Sequence, residues 1–263
     1  MKKRTLLGLG ALAAALLAPS TSQAQDAHGF GSQTQLIVAA DRLVPLFAWT
    51  SATVTANQGG ATVKTTQSDT STSILWGNDG QAFAFGPRSP HTVPRASVDF
   101  VVIPHLTIGG SVAFAFSLGG STETERQQGG NTVTVKNDSP SNSVIALSPR
   151  VGYIIPIGDI LAFWPRGGFS FYSLRRTQED RDNNGAIERD TVKVSAFSLD
   201  VDPQLVIVPL EHFFFNVGPL INIPLTGSVS TESVRGATTV TVDNDLTLWH
   251  FGISAGLGGW FNL

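Results

Sequence analysis

The C-terminal stretch Trp249-His250-Phe251-Gly252-Ile253-Ser254-Ala255-Gly256-Leu257-Gly258-Gly259-Trp260-Phe261-Asn262-Leu263 holds the key to the architecture. Its odd positions carry Trp249, Phe251, Ile253, Ala255, Leu257, Gly259, Phe261 and Leu263; its even positions carry His250, Gly252, Ser254, Gly256, Gly258, Trp260 and Asn262. Alternation with a period of two marks a β-strand with one greasy face and one small or polar face. The pattern recurs from Leu106 to Leu118 and from Phe213 to Thr226. These runs exceed the ~5–6 residues of an ordinary soluble strand. They match the roughly 9–11 residues that a tilted strand needs to cross a bilayer.

Composition narrows the class further. Only 14% of the residues are charged, against about 25% in an average soluble domain. The chain has no cysteine, which excludes a disulfide framework, a lipidated N-terminal cysteine and a thiolate metal site. A net charge of −3 argues against nucleic acid, which requires a basic face. At the N-terminus Lys2, Lys3 and Arg4 precede an apolar run from Leu6 to Ala18, and Ser22-Gln23-Ala24 supplies the small residues of a cleavage site. We read residues 1–24 as an export signal peptide, 25–34 as a short periplasmic leader and 35–263 as the barrel.

Punctuation between the strands supplies the topology. Pro104-His105, Pro156-Ile157-Gly158-Asp159 and Pro209-Leu210-Glu211-His212 are tight breaks, whereas residues 57–93, 120–141, 177–191 and 228–243 are long, polar and rich in Thr, Ser, Asn and Gly. Short turns alternating with long connections are the habit of an outer-membrane barrel. The expected fold is therefore all-β: a transmembrane up-and-down antiparallel β-barrel of eight strands, near 35–56, 94–103, 106–119, 142–155, 160–176, 192–208, 213–227 and 244–263. Ten strands is the alternative, because residues 57–93 hold enough sequence around Asn78-Asp79-Gly80 for a further hairpin. A soluble barrel would force Phe, Leu, Ile and Trp from eight strands into an interior just wide enough for side chains. It would also face water with a nearly uncharged surface. Turning the large residues toward lipid removes both difficulties.

By parity Arg42, Asp99, Arg150, Arg166, Asp200 and Asp202 point with the small residues. Counted from the short turns they sit at similar depth, so the expectation is a balanced charge layer pairing across the lumen. Unpaired charge there would cost several kcal/mol. A salt-bridged plug is the expected consequence; an ion or proton path is the functional alternative. Tyr153, Phe163, Phe213 and Phe261 fall toward the short-turn edge, and Trp49, Phe116, Phe171 and Trp249 toward the long-connection edge, as two interfacial belts would.

The signal peptide, the eight-strand alternation and the closing Gly256-to-Leu263 segment resemble the outer-membrane β-barrel domain superfamily of Gram-negative bacteria. Blocks such as Ala40-Asp41-Arg42-Leu43, Ser148-Pro149-Arg150-Val151-Gly152-Tyr153 and Phe163-Trp164-Pro165-Arg166-Gly167-Gly168 are similar to those of small barrels of this kind. The resemblance implies an outer-membrane location, contact with outer-membrane lipid and lipopolysaccharide, and a monomer. It also implies a C-terminal signal, here Trp260, Phe261 and Leu263, read by the barrel assembly machinery. Phe261 stands third from the end, a departure from the commonest form, which has an aromatic as the last residue.

Chemistry is sparse. His28 falls in the leader and His105 and His212 in short turns, leaving His91 and His250. Ser89-Pro90-His91 is the nearest approach to a nucleophile with a base, and a rim-sited lipid-modifying enzyme would also need an acidic partner. No catalytic set meets that requirement. Asp180-Arg181-Asp182-Asn183-Asn184-Gly185-Ala186-Ile187 copies the opening of a calcium loop, with Asp180, Asp182 and Asn184 as ligands and Gly185 at the turn. Thr191 occupies the place of the closing acidic ligand, so calcium binding competes with a plain Asn-Gly hairpin tip. No other cofactor is expected. The sequence thus predicts a small barrel with a plugged lumen, Thr/Ser-rich surface loops and a structural or surface-interaction role. A narrow ion or small-solute channel is the second reading and a rim enzyme the third.

Overall fold

Alternation becomes a closed wall once each strand finds partners on both edges. The computed structural model describes residues 29–58, 61–72, 90–117, 120–128, 131–181 and 187–263. In chain order the strands are β1 (Gln35–Gln58), β2 (Ala61–Thr72), β3 (Arg95–Ile103), β4 (Leu106–Ser117), β5 (Gly120–Gln128), β6 (Asn131–Ser139), β7 (Ser141–Tyr153), β8 (Ile155–Pro156), β9 (Leu161–Arg181), β10 (Ile187–Leu210), β11 (Phe213–Arg235) and β12 (Thr238–Asn262). Eight of them, β1, β3, β4, β7, β9, β10, β11 and β12, form an antiparallel ring. The C-terminal strand closes it: β12 pairs with β1 from Asn262 opposite Gln35 to Asp245 opposite Thr55. Closure gives each of the eight ring strands a neighbour on both sides.

The ring thus has eight strands, not ten. Residues 61–72 form β2 outside the ring, laid against the upper half of β1 from Phe47 opposite Thr72 to Gln58 opposite Ala61. The hairpin sequence around Asn78-Asp79-Gly80 lies outside the described residues. Two of the short turns are tight, with Ile103 opposite Leu106 and Leu210 opposite Phe213. His105 (φ 72°) and His212 (φ 66°) take the left-handed conformation that such turns require at their second residue.

The long connections differ from their expectation. Segments 177–191 and 228–243 are mostly strand, because β9 stays paired with β10 as far as Arg181 opposite Ile187 and β11 with β12 as far as Arg235 opposite Thr238. Their polarity suggested loops, but Thr and Val favour a pleated backbone, and each of these strands has a neighbour to bond. β5 and β6 pair as a separate hairpin within 120–141. Strands of 24 residues, as in β1 and β10, extend ~80 Å at ~3.3 Å per residue. Tilted by ~40° they rise ~60 Å, whereas the apolar belt of such a barrel is ~25 Å tall. About half of each long strand therefore stands clear of that belt.

The outer face of the lower half carries the belt: Val38, Phe100, Ile108, Phe114, Leu147, Phe169, Phe215, Phe251 and Leu257 are all exposed. The aromatics assigned to the two edges, among them Tyr153, Phe261, Trp49, Phe116, Phe171 and Trp249, also face outward. An uninterrupted apolar surface on this scale is a surface that water does not cover.

Candidate functional site in the barrel lumen

Inward-facing positions fill the lumen in stacked layers. At the short-turn end Ile37, Val101, Ile154, Ala162, Trp164, Val206, Val208, Phe214 and Trp260 form an apolar floor. Phe30, from the segment before β1, plugs its centre with no exposed surface, its ring 5.7 Å from Trp164 and 5.2 Å from both Phe214 and Trp260. Backbone bonds hold that segment in place: His105 N donates to the Gly31 carbonyl at 2.8 Å, and Leu263 N to the Thr34 carbonyl at 3.1 Å. The Gln35 amide donates to the Gly29 carbonyl at 2.7 Å, and its Oε1 accepts from Gly31 N at 2.8 Å.

Above the floor runs a continuous chain of charge. Arg150 grips Asp99 with two donors, Nε at 3.0 Å and a terminal nitrogen at 2.5 Å, and reaches Asp41 at 2.6 Å. Arg166 spans from the other side, 3.2 Å from Asp41 and 2.7 Å from Asp202. Its guanidinium lies 4.7 Å over the Trp164 ring, which joins this layer to the floor. Asn216 donates to Asp41 at 3.2 Å and Gln204 donates to Asp202.

One step higher Arg42 stands 3.7 Å from Asp200 and donates to the His91 carbonyl at 3.0 Å. Arg95 donates to Ser148 and, at 2.9 Å, to the Tyr172 hydroxyl. Asp200 accepts from Ser170, Ser198 and Asn222. The His91 and His250 rings stack 4.7 Å apart, His91 sharing a 2.8 Å hydrogen bond with Tyr172 and His250 a 3.0 Å one with Thr50. An apolar roof of Ala52, Val93, Ala113, Val144, Ala146, Leu174, Val194, Ala196, Val229, Leu246 and Leu248 covers these groups.

All six charges read from parity lie in this interior, with side chains at most 9% exposed. Two further members, Asp41 and Arg95, escaped the sequence reading. Asp41 and Arg42 are neighbours, so simple alternation admits only one of them. The strand accommodates both through a bulge: between the pairs Ala40–Leu257 and Val44–Ala255 the single residue Gly256 of β12 faces three of β1, Asp41 to Leu43, and Arg42 turns left-handed at φ 58°. Arg95 shares parity with Asp99, so that signal was present but fell at the strand's first residue. With both added the layer holds four arginines and four aspartates and stays balanced.

Glycine makes room for the network. A Cβ on Gly168 would lie 2.1 Å from the Pro149 carbonyl oxygen and 2.8 Å from the Arg150 Cα, separations that no side chain tolerates without moving the adjacent strand. Gly168→Ala is expected to destabilise the folded barrel by about 1–3 kcal/mol, measured as a lower urea midpoint for the heat-modifiable band. An unchanged midpoint would mean that β7 and β9 slide apart at no cost.

The remaining predicted residues fall apart from one another. Trp260 faces inward as part of the floor, while Phe261 and Leu263 are 61% and 72% exposed on the outside. Asp180 lies near the end of the β9 ladder, opposite Glu188; Asp182 and Asn184 lie outside the described residues, and no cluster of metal-ligating side chains occurs among the described ones. Ser89 is likewise outside the described residues, and His91 is 1% exposed within the lumen, not at the rim. On the protruding strands Arg235 pairs with Glu188 at 3.1 Å and Asp190 at 2.9 Å. Its hydrogen bond holds the Asp190 carboxyl below the usual carboxylate range, with Ser233 assisting.

A closed ring of eight antiparallel strands, apolar outside and ionic within, defines the class: a small up-and-down β-barrel. No protein-family profile matches the chain, and no curated protein matches it. Among solved structures it is similar to the outer membrane protein OprG from Pseudomonas aeruginosa, at 16% identity over 90% of this chain and 100% of that one, with a TM-score of 0.46. It is also similar to a major outer membrane protein from Thermus thermophilus, at 11% identity over 82% and 99%, TM-score 0.44. A third likeness is to the outer membrane protease OmpT from Escherichia coli, at 10% identity over 88% and 97%, TM-score 0.40.

Proposed function

We propose that the chain is an outer-membrane barrel with a closed lumen, serving to anchor and present paired strands at the cell surface. The observation that carries this reading is the unbroken path Asp99–Arg150–Asp41–Arg166–Asp202 spanning the interior above the Phe30-centred floor. A conducting pore needs a water-filled path, yet two voids beside this path, at Arg42 and Asp200 and at His91 and His250, measure about 10 Å³ each. Each is room for roughly one water. Burying three ion-paired arginines and the hydroxyl-bonded Arg95 is costly unless every partner is in place, so the lumen positions are committed to closure. The long strands β9 to β12 then project beyond the apolar belt, exposing Thr, Ser and paired charges to the outside. The export signal and the Trp260-Phe261-Leu263 terminus support delivery to the outer membrane and capture by its assembly machinery.

Planar-bilayer recording of the refolded chain is expected to show no discrete conductance steps in the wild type and clear steps in Arg166→Ala, which removes the bridge between Asp41 and Asp202. Unchanged conductance together with unchanged stability in Arg166→Ala would overturn the plug. Steady wild-type conductance would assign the narrow channel instead, and turnover of labelled lipid A would assign a rim enzyme.

A further inference from the structure

The outer face of the β9–β10 hairpin changes character in ordered steps away from the apolar belt. Directly opposed pairs read Phe171–Phe197, then Ser173–Ser195, then Arg175–Lys193. All share the outward parity: Phe171 is 46% and Phe197 37% exposed, and Arg175 and Lys193 are exposed. Ser143 of β7 lies beside Arg175, and Ser230 of β11 beside Lys193. A row of aromatics, a row of hydroxyls and a row of cations therefore follow one another along some four residues per strand. That spans ~10 Å of height at ~3.3 Å per residue and ~40° of tilt.

Two cations directly opposite one another on neighbouring strands repel and destabilise the pair. Two other cations of this region do have close carboxylates: Arg189 lies 2.5 Å from Glu179, and Arg235 holds Glu188 and Asp190. Lys193 has only a 3.5 Å contact with Glu232. Arg175 has no hydrogen bond or ion pair among the described residues. The pair is thus short of negative charge at the level where headgroups sit above acyl chains, on the side that faces lipid.

Resting on the outer-membrane placement proposed above, we infer that Arg175 and Lys193 form a site for the phosphate of a phosphorylated lipid headgroup in the outer leaflet. The acyl chains lie along Phe171, Phe197 and Leu147, the headgroup's polar atoms meet Ser173 and Ser195, and the phosphate sits between the guanidinium and the ammonium. A guanidinium offers a phosphate two parallel donors, and both contacts are charge-assisted.

The test is titration of the detergent-refolded full chain with bisphosphorylated lipid A, with the same lipid lacking phosphate and with inorganic phosphate, each read by native mass spectrometry. The Arg175→Ala/Lys193→Ala double variant is expected to bind bisphosphorylated lipid A at least about tenfold more weakly than wild type, as loss of one charge-assisted contact implies. Arg189→Ala, which removes a cation already paired with Glu179, is expected to bind like wild type. Dephosphorylated lipid A is expected to bind the wild type as weakly as the intact lipid binds the double variant. Equal binding by wild type and double variant, or equal binding of the two lipids, would overturn the assignment. Inorganic phosphate binding as tightly as the lipid would transfer the site to free anions and overturn the lipid part. Flotation with phospholipid vesicles reads the membrane placement separately: a chain that fails to float refutes the placement, whatever the titration gives.

Discussion

Replacing Asp41 by alanine is expected to lower the unfolding free energy by about 3–5 kcal/mol, the loss typical when one partner of a buried ion pair is removed. Asp41 is 2% exposed and is the only carboxylate of the network that meets both Arg150 and Arg166. Without it those two guanidiniums face each other across the lumen with one aspartate each. Asn216 also loses an acceptor, leaving its amide a single 3.3 Å bond to Gln204. Urea titration followed by the heat-modifiable gel shift measures the loss. Asp190→Ala provides the contrast: its partner Arg235 is 44% exposed and the pair is screened by water, so about 0–1 kcal/mol is expected. A loss in Asp41→Ala no larger than that in Asp190→Ala would mean that the lumen network carries no stability.

Phe30→Ala is the second large effect, with a loss of about 3–5 kcal/mol expected for a fully buried phenyl. Here the loss divides between two events. The segment carrying Phe30 lies outside the ring, so part of the effect appears as its release from the barrel mouth, which leaves Trp164, Phe214 and Trp260 lining an open cavity. Tryptophan emission shifted to the red and protease cleavage near residues 29–34 would register that release. Blue emission and protection equal to wild type would show that the floor repacks without the ring. Trp164 touches Phe30 on one side and Arg166 on the other, so Phe30→Ala and Arg166→Ala are expected to be non-additive. Their combination is accordingly expected to conduct more than either variant alone.

The wall was legible because its signal is local. A period of two needs only the residues of one strand, and tight breaks such as Pro104-His105 count the hairpins without knowledge of their partners. Parity likewise placed Arg150, Arg166, Asp99, Asp200 and Asp202 inside, since a strand has only two faces. Where the reading was incomplete, a non-local cause can be named. The bulge at Asp41-Arg42 breaks parity, and it is set by the mismatch between β1 and β12, which nothing in the sequence of β1 announces. The upper parts of β9 to β12 looked like loops because polarity tracks exposure, while strand formation depends on a partner backbone being within reach. His91 precedes β3 with no period to place it, and its neighbour His250 comes from the far end of the chain.

A β wall with a lipid-like outer face, an ionic inner face and eight crossings follows from the linear order of residues, because alternation and turn chemistry act over a few positions. Which charges meet does not follow from that order and emerges in the closed ring. Asp41 finds Arg150 across 109 residues and Arg166 across 125, and those pairings come from strand stagger and ring closure. The same closure folded the segment around Phe30 into the mouth, and the register of the β9–β10 hairpin set Arg175 beside Lys193. Each of these depends on the register between strands, a property of two backbones together that neither strand's sequence carries alone.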